Sequence, residues 1–415
     1  MSTTVRPIAG DELMPWLDAV SSGFLDRPDI AAIASEVTSH WDMTRVWAAF
    51  DGGRIAGTFR TWATRLTLPG LAQVDAAAVT GVAVLPTHRR RGILSAMATA
   101  EARAARERGE VAALLYASEY PIYQRFGYGP ATTAATWTLD ARSAAFHPPV
   151  TPGGSVEMFP TDDAGRDAAI AVFEAWRARQ AGEIWRRPIS WSVDFGGGAA
   201  FGPPWKGFFV VHRDESGSID GYARYHVDGK WEERQPRGKL VLDELHALTD
   251  DAYAGLWRFL ASIDWISRIE AERRHLGERL PWLLVNARAA MVSEVGDGMW
   301  VKLLDIPRAL EARTYGRTGA LVLEVMVRDG GEDDASAGRL RVALEASPDG
   351  AQARITDAGP DLTIDGASLG AAFLGGTRLR NAVLARGFDE HRAGALAEAD
   401  ALFATDLGPW TSTFF

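Results

Sequence analysis

The chain contains no cysteine in 415 residues, which excludes disulfides and thiolate-ligated metal centres. No apolar run approaches the roughly 18 residues that a membrane-spanning helix requires, and the opening Met1-Ser2-Thr3-Thr4-Val5-Arg6-Pro7 lacks the basic-then-apolar pattern of a secretory leader. The expectation is a cytoplasmic protein with no membrane partner. Basic charge is in deficit, 44 Lys and Arg against 54 Asp and Glu for a net charge of −10. Nucleic acid, whose phosphates call for clustered cations, is therefore not an expected partner, whereas an acidic surface suits a cationic substrate. Neither Gly-x-x-x-x-Gly-Lys-Ser/Thr nor His-Glu-x-x-His occurs, and the eight His are dispersed. Nucleotide hydrolysis and zinc proteolysis have no motif here, and no metal site is expected.

What is present is material for large cores: 47% of the residues are hydrophobic, with 15 Trp and 17 Phe. Such a length predicts two to four domains at roughly 100–200 residues each. The most informative stretch runs from Val79 to Met97. It reads as a β-branched strand, a short basic loop, a glycine, and a helix whose apolar positions Ile93, Met97, Ala100 and Ala104 recur at helical spacing. A helix start leaves backbone N–H groups without partners and carries about half a positive charge. Gly92 lets a diphosphate approach that backbone, and Arg89, Arg90 and Arg91 surround it with full charges. The same pattern also describes an ordinary solvated turn.

Before this stretch, Leu13, Trp16, Leu17 and Val20 make the stripe of an amphipathic helix, and Phe24 and Asp26 follow it. Strands are expected over residues 45–51 and 54–68, joined by a hairpin at Asp51-Gly52-Gly53. After it the helix stops at Gly109 and a strand runs from Val111 to Tyr116. The element order divides the chain into residues 1–147, 148–298 and 299–415, and the second part repeats the first in weaker form. Ile55-Ala56-Gly57 aligns with Ile219-Asp220-Gly221, and the same offset sets Val82-Ala83-Val84 on His246-Ala247-Leu248. In the repeat, Asp250 and Asp251 follow the strand instead of three arginines. The second copy is expected to be structural and to bind no coenzyme. The last part alternates strand-like runs with Gly, Asp and Ser turns and closes on two helices.

The run Val82-Ala83-Val84-Leu85-Pro86-Thr87-His88-Arg89-Arg90-Arg91-Gly92 resembles the coenzyme-A motif of the GNAT N-acetyltransferases, and more narrowly that of the Eis ("enhanced intracellular survival") family. The general Arg/Gln-x-x-Gly-x-Gly/Ala pattern reads Arg89-x-x-Gly92-x-Leu94, whose last position suits the narrower group. A second block, Ala117-Ser118-Glu119 with Ile122-Tyr123-Gln124-Arg125-Phe126-Gly127-Tyr128-Gly129-Pro130, stands at that family's spacing. The resemblance implies an α/β architecture of two tandem GNAT-like mixed-sheet folds, the second degenerate, followed by an α+β sterol-carrier-like domain. It implies acetyl-CoA as cosubstrate and transfer of acetyl to the primary amine of an aminoglycoside-like, polyamine or lysine acceptor. By the same resemblance Val82, Ala83 and Val84 meet the pantetheine arm. Arg90, Arg91, Gly92, Ile93, Leu94 and Ser95 cradle the diphosphate, and Ser118 and Glu119 contact the coenzyme. Tyr123 is then the acid that protonates the leaving thiolate, and the terminal α-carboxylate, here on Phe415, is the base. Phe24, Asp26 and Asp297 line the acceptor pocket. Phe414 stands where some relatives carry an acid, and a homohexamer is implied.

Two other readings compete. One is a lipid- or sterol-binding carrier with a vestigial acetyltransferase domain. The other is an esterase, because Gly366-Ala367-Ser368-Leu369-Gly370 matches a nucleophile elbow with Asp389 and His391 following. Little more than one helix remains after that elbow to carry a triad. Asp365 is sufficiently explained as a helix cap.

Overall fold

The computed structural model describes residues 3–147, 153–198, 202–330 and 338–415. The expected start of the second domain at residue 148 lies outside them. Two units emerge: residues 1–132, 298–409 and 413–415 form one, and residues 133–297 with 410–412 the other.

The first unit begins with β1 (Thr4–Pro7), α1 (Leu13–Gly23), α2 (Ile30–Val37), β2 (Val46–Asp51) and β3 (Arg54–Thr67). It continues with β4 (Gln73–Val84), α3 (Ile93–Glu107) and β5 (Ala112–Leu115). Its seven-stranded sheet runs β1-β2-β3-β4-β5, then Trp300–Leu303, then Gly129–Pro130. Only β4 and β5 are parallel. One face packs Phe59, Val79, Ala113 and Trp300 against Ile93 and Met97 of α3. The other packs Val46 and Ala48 against Trp16 and Leu17 of α1, where Trp16 Nε1 donates to the Trp47 carbonyl at 2.8 Å. These are the two faces that strand alternation supplies.

Two sequence expectations are corrected in this sheet. β4 starts at Gln73, not Val79, and Trp300–Leu303, assigned from sequence to the last domain, lies antiparallel to β5. The rest of this unit is a five-stranded sheet in the order Gly350–Ile355, Gly338–Ser347, Gly319–Val327, Leu362–Asp365, Asp389–Glu390. Helices Gly366–Ala372 and Ala395–Phe403 accompany it. Arg313 is buried among them and donates to the carbonyls of Thr314, Phe373 and Phe403. This is the α+β fold expected of a sterol-carrier-like domain.

The second unit holds another seven-stranded sheet. Its order is Ala290–Asp297, Thr133–Asp140, Ile266–Arg274, Gly238–Ala247, Ile219–Asp228, Phe208–Arg213, Ser155–Phe159. Thr133–Asp140 therefore belongs to this sheet although the sequence reading placed it before the boundary at residue 147. Helix Asp250–Ser262 covers one face through Leu256 and Trp257, which pack on Leu242 and Ile269. Helix Asp163–Arg177 contributes Phe173 to a second cluster with Trp191, Phe209 and Tyr222.

The duplication is real in three dimensions but one residue out of the expected register. The backbone oxygen nearest a Cβ on Gly57 is that of Ala83, and on Gly221 that of His246. Leu85 N–H donates to Ala56 as Leu248 N–H donates to Asp220. Val82, Ala83 and Val84 thus correspond to Leu245, His246 and Ala247, because the second copy is one residue shorter between its glycine and the end of its strand.

Candidate active site

A fork in the first sheet creates the site. β4 pairs with β5 at only three positions, Ala76 to Ala78 against Ala112 to Leu114, and then runs on to Val84 paired with β3 but not with β5. Its cause is visible in the sequence: the register of β3 and β4 slips between Thr58 and Arg60, one extra residue being taken up on β4 at Gly81, which has φ +60°. A bulge of this kind bends the strand that carries it. Any side chain at Gly81 would press on Trp16, 3.0 Å from its Cβ. Beyond the bulge, Val82 and Val84 pack against the core beneath α3, and Ala83 meets the end of α1 so closely that a Cβ on Gly23 would stand 2.4 Å from its own.

The loop after β4 has the shape that an anion requires. Arg90 and Gly92 both take positive φ, +62° and +73°, left-handed turns of the kind from which backbone anion-binding concavities are built. No side chain caps that helix, and a Cβ on Gly92 would meet nothing within 4 Å. Arg89, Arg90 and Arg91 are exposed around it. Arg91 and His88 lie 3.5 Å from Asp51 of the β2–β3 hairpin, and Arg89 Nε reaches the Val84 carbonyl at 3.4 Å. Ile93 is buried in the core, Leu94 packs against it, and Ser95 stands on the same first turn. Free amides, open space and unburied guanidinium groups fit a diphosphate.

The second fold has lost this feature. Thr249 follows Leu248 directly and caps its helix, its hydroxyl accepting from Ala252 N–H at 3.1 Å, and no counterpart of the Pro86–Arg91 loop remains. The acids Asp250 and Asp251 occupy the first turn, which opposes a second anion.

Tyr123 ends the short helix Tyr120–Tyr123 and is only 8% exposed, packed in the cluster that contains Ile93, Met97 and Leu115. Burial raises its phenol pKa; a hydrogen bond with Ser118 opposes that rise, and the charge of Glu119 adds to it. Ser118 and Glu119 are themselves exposed. Ser118 is thus a partner of the phenol, a contact absent from the sequence expectation.

The chain's last residues close on the same fork. Tyr116, just past β5, donates to the Thr413 carbonyl at 2.8 Å and packs on Phe414 and Phe415, with centroids 4.8 and 5.3 Å away. Phe415 also meets Trp62 of β3 edge-on at 5.6 Å. Trp62 is paired with Ala78, and Ala78 with Leu114, so the terminal ring spans the point where β4 and β5 part. Sequence reasoning passed over Trp62 and Tyr116. Nearby, Arg60 places its guanidinium 4.0 Å from the Trp41 ring.

Of the expected acceptor residues, Phe24 is 54% exposed immediately after Gly23, and so beside Ala83. Asp26 is exposed two residues on, its carboxylate accepting from Arg27 N–H. Asp297 ends a strand of the second unit opposite Thr133.

Family models described as acetyltransferase (GNAT) domains match residues 4–131 and 175–303, and one described as a sterol carrier protein domain matches 306–412. N-acetyltransferase Eis of Mycobacterium tuberculosis is 35% identical over 371 residues, covering 88% of this chain and 87% of its own. The chain is an Eis-type GNAT N-acetyltransferase. An uncharacterized N-acetyltransferase of Streptomyces griseus is 39% identical over the full length of both chains. The crystal structure of Eis1 from Mycobacterium abscessus superposes with a TM-score of 0.85 at 32% identity, covering 99% of this chain and all of that one. A GCN5-related N-acetyltransferase from Anabaena variabilis, 16% identical with a TM-score of 0.80, shares the fold.

GNAT acetyltransferases use acetyl-CoA. The competing elbow does not assemble. Ser368 donates to the Ala382 carbonyl at 3.3 Å, while His391 bonds Thr363 at 3.0 Å. A cavity of about 820 Å³ beside this segment is lined by Arg125, Arg328 and Arg386 together with apolar residues such as Met326, Ala371 and Ala382.

Proposed function

We propose that this acetyltransferase moves the acetyl group of acetyl-CoA onto the primary amine of a small cationic acceptor, of the aminoglycoside, polyamine or lysine kind, by direct attack on the thioester. The observation that carries the reading is Phe415 lodged between Trp62 and Tyr116 at the parting of β4 and β5. There its α-carboxylate is the base: it takes the proton the amine loses as the new C–N bond forms. The C–S bond breaks, and Tyr123 gives its phenolic proton to the thiolate, a role supported by a pKa raised through burial. Freed main-chain groups of Val82, Ala83 and Val84 take the pantetheine arm as an added strand and polarise the carbonyl.

Acceptor recognition rests on Phe24 and Asp26, an aromatic face and a carboxylate next to the fork, which suit an ammonium by cation–π and charge attraction. The hexamer belongs to the same proposal, supported by the edge strand Ala290–Asp297, which exposes Met291 and Val295. The test is thiol release from acetyl-CoA across a panel of aminoglycosides, polyamines and lysine peptides, against neutral and anionic amines. Release that depends on a polycationic amine is expected. Equal release with the anionic amines, or none with any amine, would overturn the acceptor class.

A further inference from the structure

The degenerate second fold keeps a fork of its own. The parallel pairing of its strands Gly238–Ala247 and Ile266–Arg274 stops at Leu242 and Ala271, leaving Glu244 to Ala247 without that neighbour. This opening holds a peptide, the chain's own Trp410-Thr411-Ser412. Trp410 N–H donates to the Ala181 carbonyl at 3.0 Å, and its indole N–H to the Arg273 carbonyl at 2.8 Å. The indole also packs on Trp176, on His246 and beneath the Arg274 guanidinium, at 5.2, 6.0 and 4.9 Å. Thr411 donates its hydroxyl to the Gly182 carbonyl at 2.7 Å.

Ser412 is gripped by charge. Glu183 is 0% exposed, and one carboxylate oxygen accepts from both the N–H and the hydroxyl of Ser412 at 2.7 Å. The other accepts from Ile184 N–H at 2.9 Å. Arg186 donates to the same hydroxyl at 3.0 Å and is held by Glu244. His246 Nε2 lies 3.3 Å away. A fully buried carboxylate is costly unless its oxygens find donors, and here two of the three donors named are supplied by the tail.

We infer that the second fold, having lost its coenzyme loop, serves as a binding slot for the chain's own terminal peptide, with Glu183 as the receptor for Ser412. Three residues beyond that grip stands Phe415, so Glu183 is a positioning residue for the tail carboxylate. This last step rests on the role given to Phe415 above.

Release of Phe415 by carboxypeptidase from the full-length protein, with folding checked by thermal melting, tests the slot. Glu183→Gln and Ser412→Ala are each expected to speed release about tenfold or more, the loss of a hydrogen bond to a charged group, and the double variant is expected to add little further. Unchanged release in folded Ser412→Ala, or full additivity, would overturn the slot. Turnover is read on the same samples: lower kcat at unchanged acetyl-CoA KM supports positioning. Faster release with undiminished turnover would leave the slot standing and remove the carboxylate base.

Discussion

Tyr123 shows how one residue serves two purposes. Its ring packs on Tyr128 at 6.2 Å within the α3 core, the role any buried aromatic fills, while its hydroxyl keeps a polar partner in Ser118. Because burial holds the phenol above its ordinary pKa, it stays protonated across the working range and sets no limb of the pH profile below pH 10 or so. Tyr123→Phe keeps the packing and removes the proton. We expect kcat to fall about a hundredfold, the usual size of a general-acid contribution, with acetyl-CoA KM nearly unchanged in steady-state assays. Local chemistry alone does not suggest the acid role proposed for it; the family resemblance of its block, at that spacing from the Arg89–Gly92 motif, does. Trp62 and Tyr116 carry no motif. Their importance appears only once register sets both beside Ala78 and Leu114.

At the scale of elements, the turn between β4 and α3, proposed to take the diphosphate, was readable as a turn because glycine, arginine and the helix stripe act locally. The start of β4 was not. Asp75-Ala76-Ala77-Ala78 favours helix by propensity, yet with Ala76 to Ala78 buried between β3 and β5 it is strand, since tertiary packing overrides so weak a preference. The seating of α3 on β3 depends on another glycine: a Cβ on Gly57 would lie 2.8 Å from Ile93 Cγ2 and 2.9 Å from Met97 Cε. Gly57→Ala should cost about 1–3 kcal/mol in urea unfolding and, by shifting the first turn of α3, raise acetyl-CoA KM. Gly92→Ala meets open space, so its effect should come from backbone strain instead.

In the whole molecule the sequence order and the sheet order diverge. Thr133–Asp140 joins the second sheet and Trp300–Leu303 returns to the first, pairings between residues far apart in the chain that periodicity cannot reveal. The first unit is further tied across that distance by Asp329. It accepts from Arg106 of α3 at 2.6 and 2.9 Å and pairs with Lys302 at 2.7 Å. Burial pushes its carboxyl up, but the hydrogen bond and charge of Arg106 and Lys302 override it and hold the pKa at about 2 against an ordinary 3.8. A depressed carboxyl stabilises the fold above its unfolded pKa and loses that contribution as pH falls through the folded one. Asp329→Asn should therefore lower stability by about 2 kcal/mol at pH 7. The deficit should shrink between pH 4 and about 2, as measured by denaturant unfolding of both proteins.

The domain series of two acetyltransferase folds and a sterol-carrier fold was legible through the family resemblance carried by the Arg89–Gly92 and Ala117–Pro130 motifs, since strand and helix patterns alone name no fold family. The site proposed at the first fork was legible in part: the resemblance implied its coenzyme half and Phe415 as base, but not Trp62 and Tyr116, against which Phe415 packs. Its other half is aromatic packing by the last residues of the chain, and the most direct measurement is made there: amine-dependent thiol release by a protein carrying one glycine appended after Phe415. The account predicts an unaltered melting temperature and acetyl-CoA affinity with turnover abolished. Full turnover by the extended chain would contradict it.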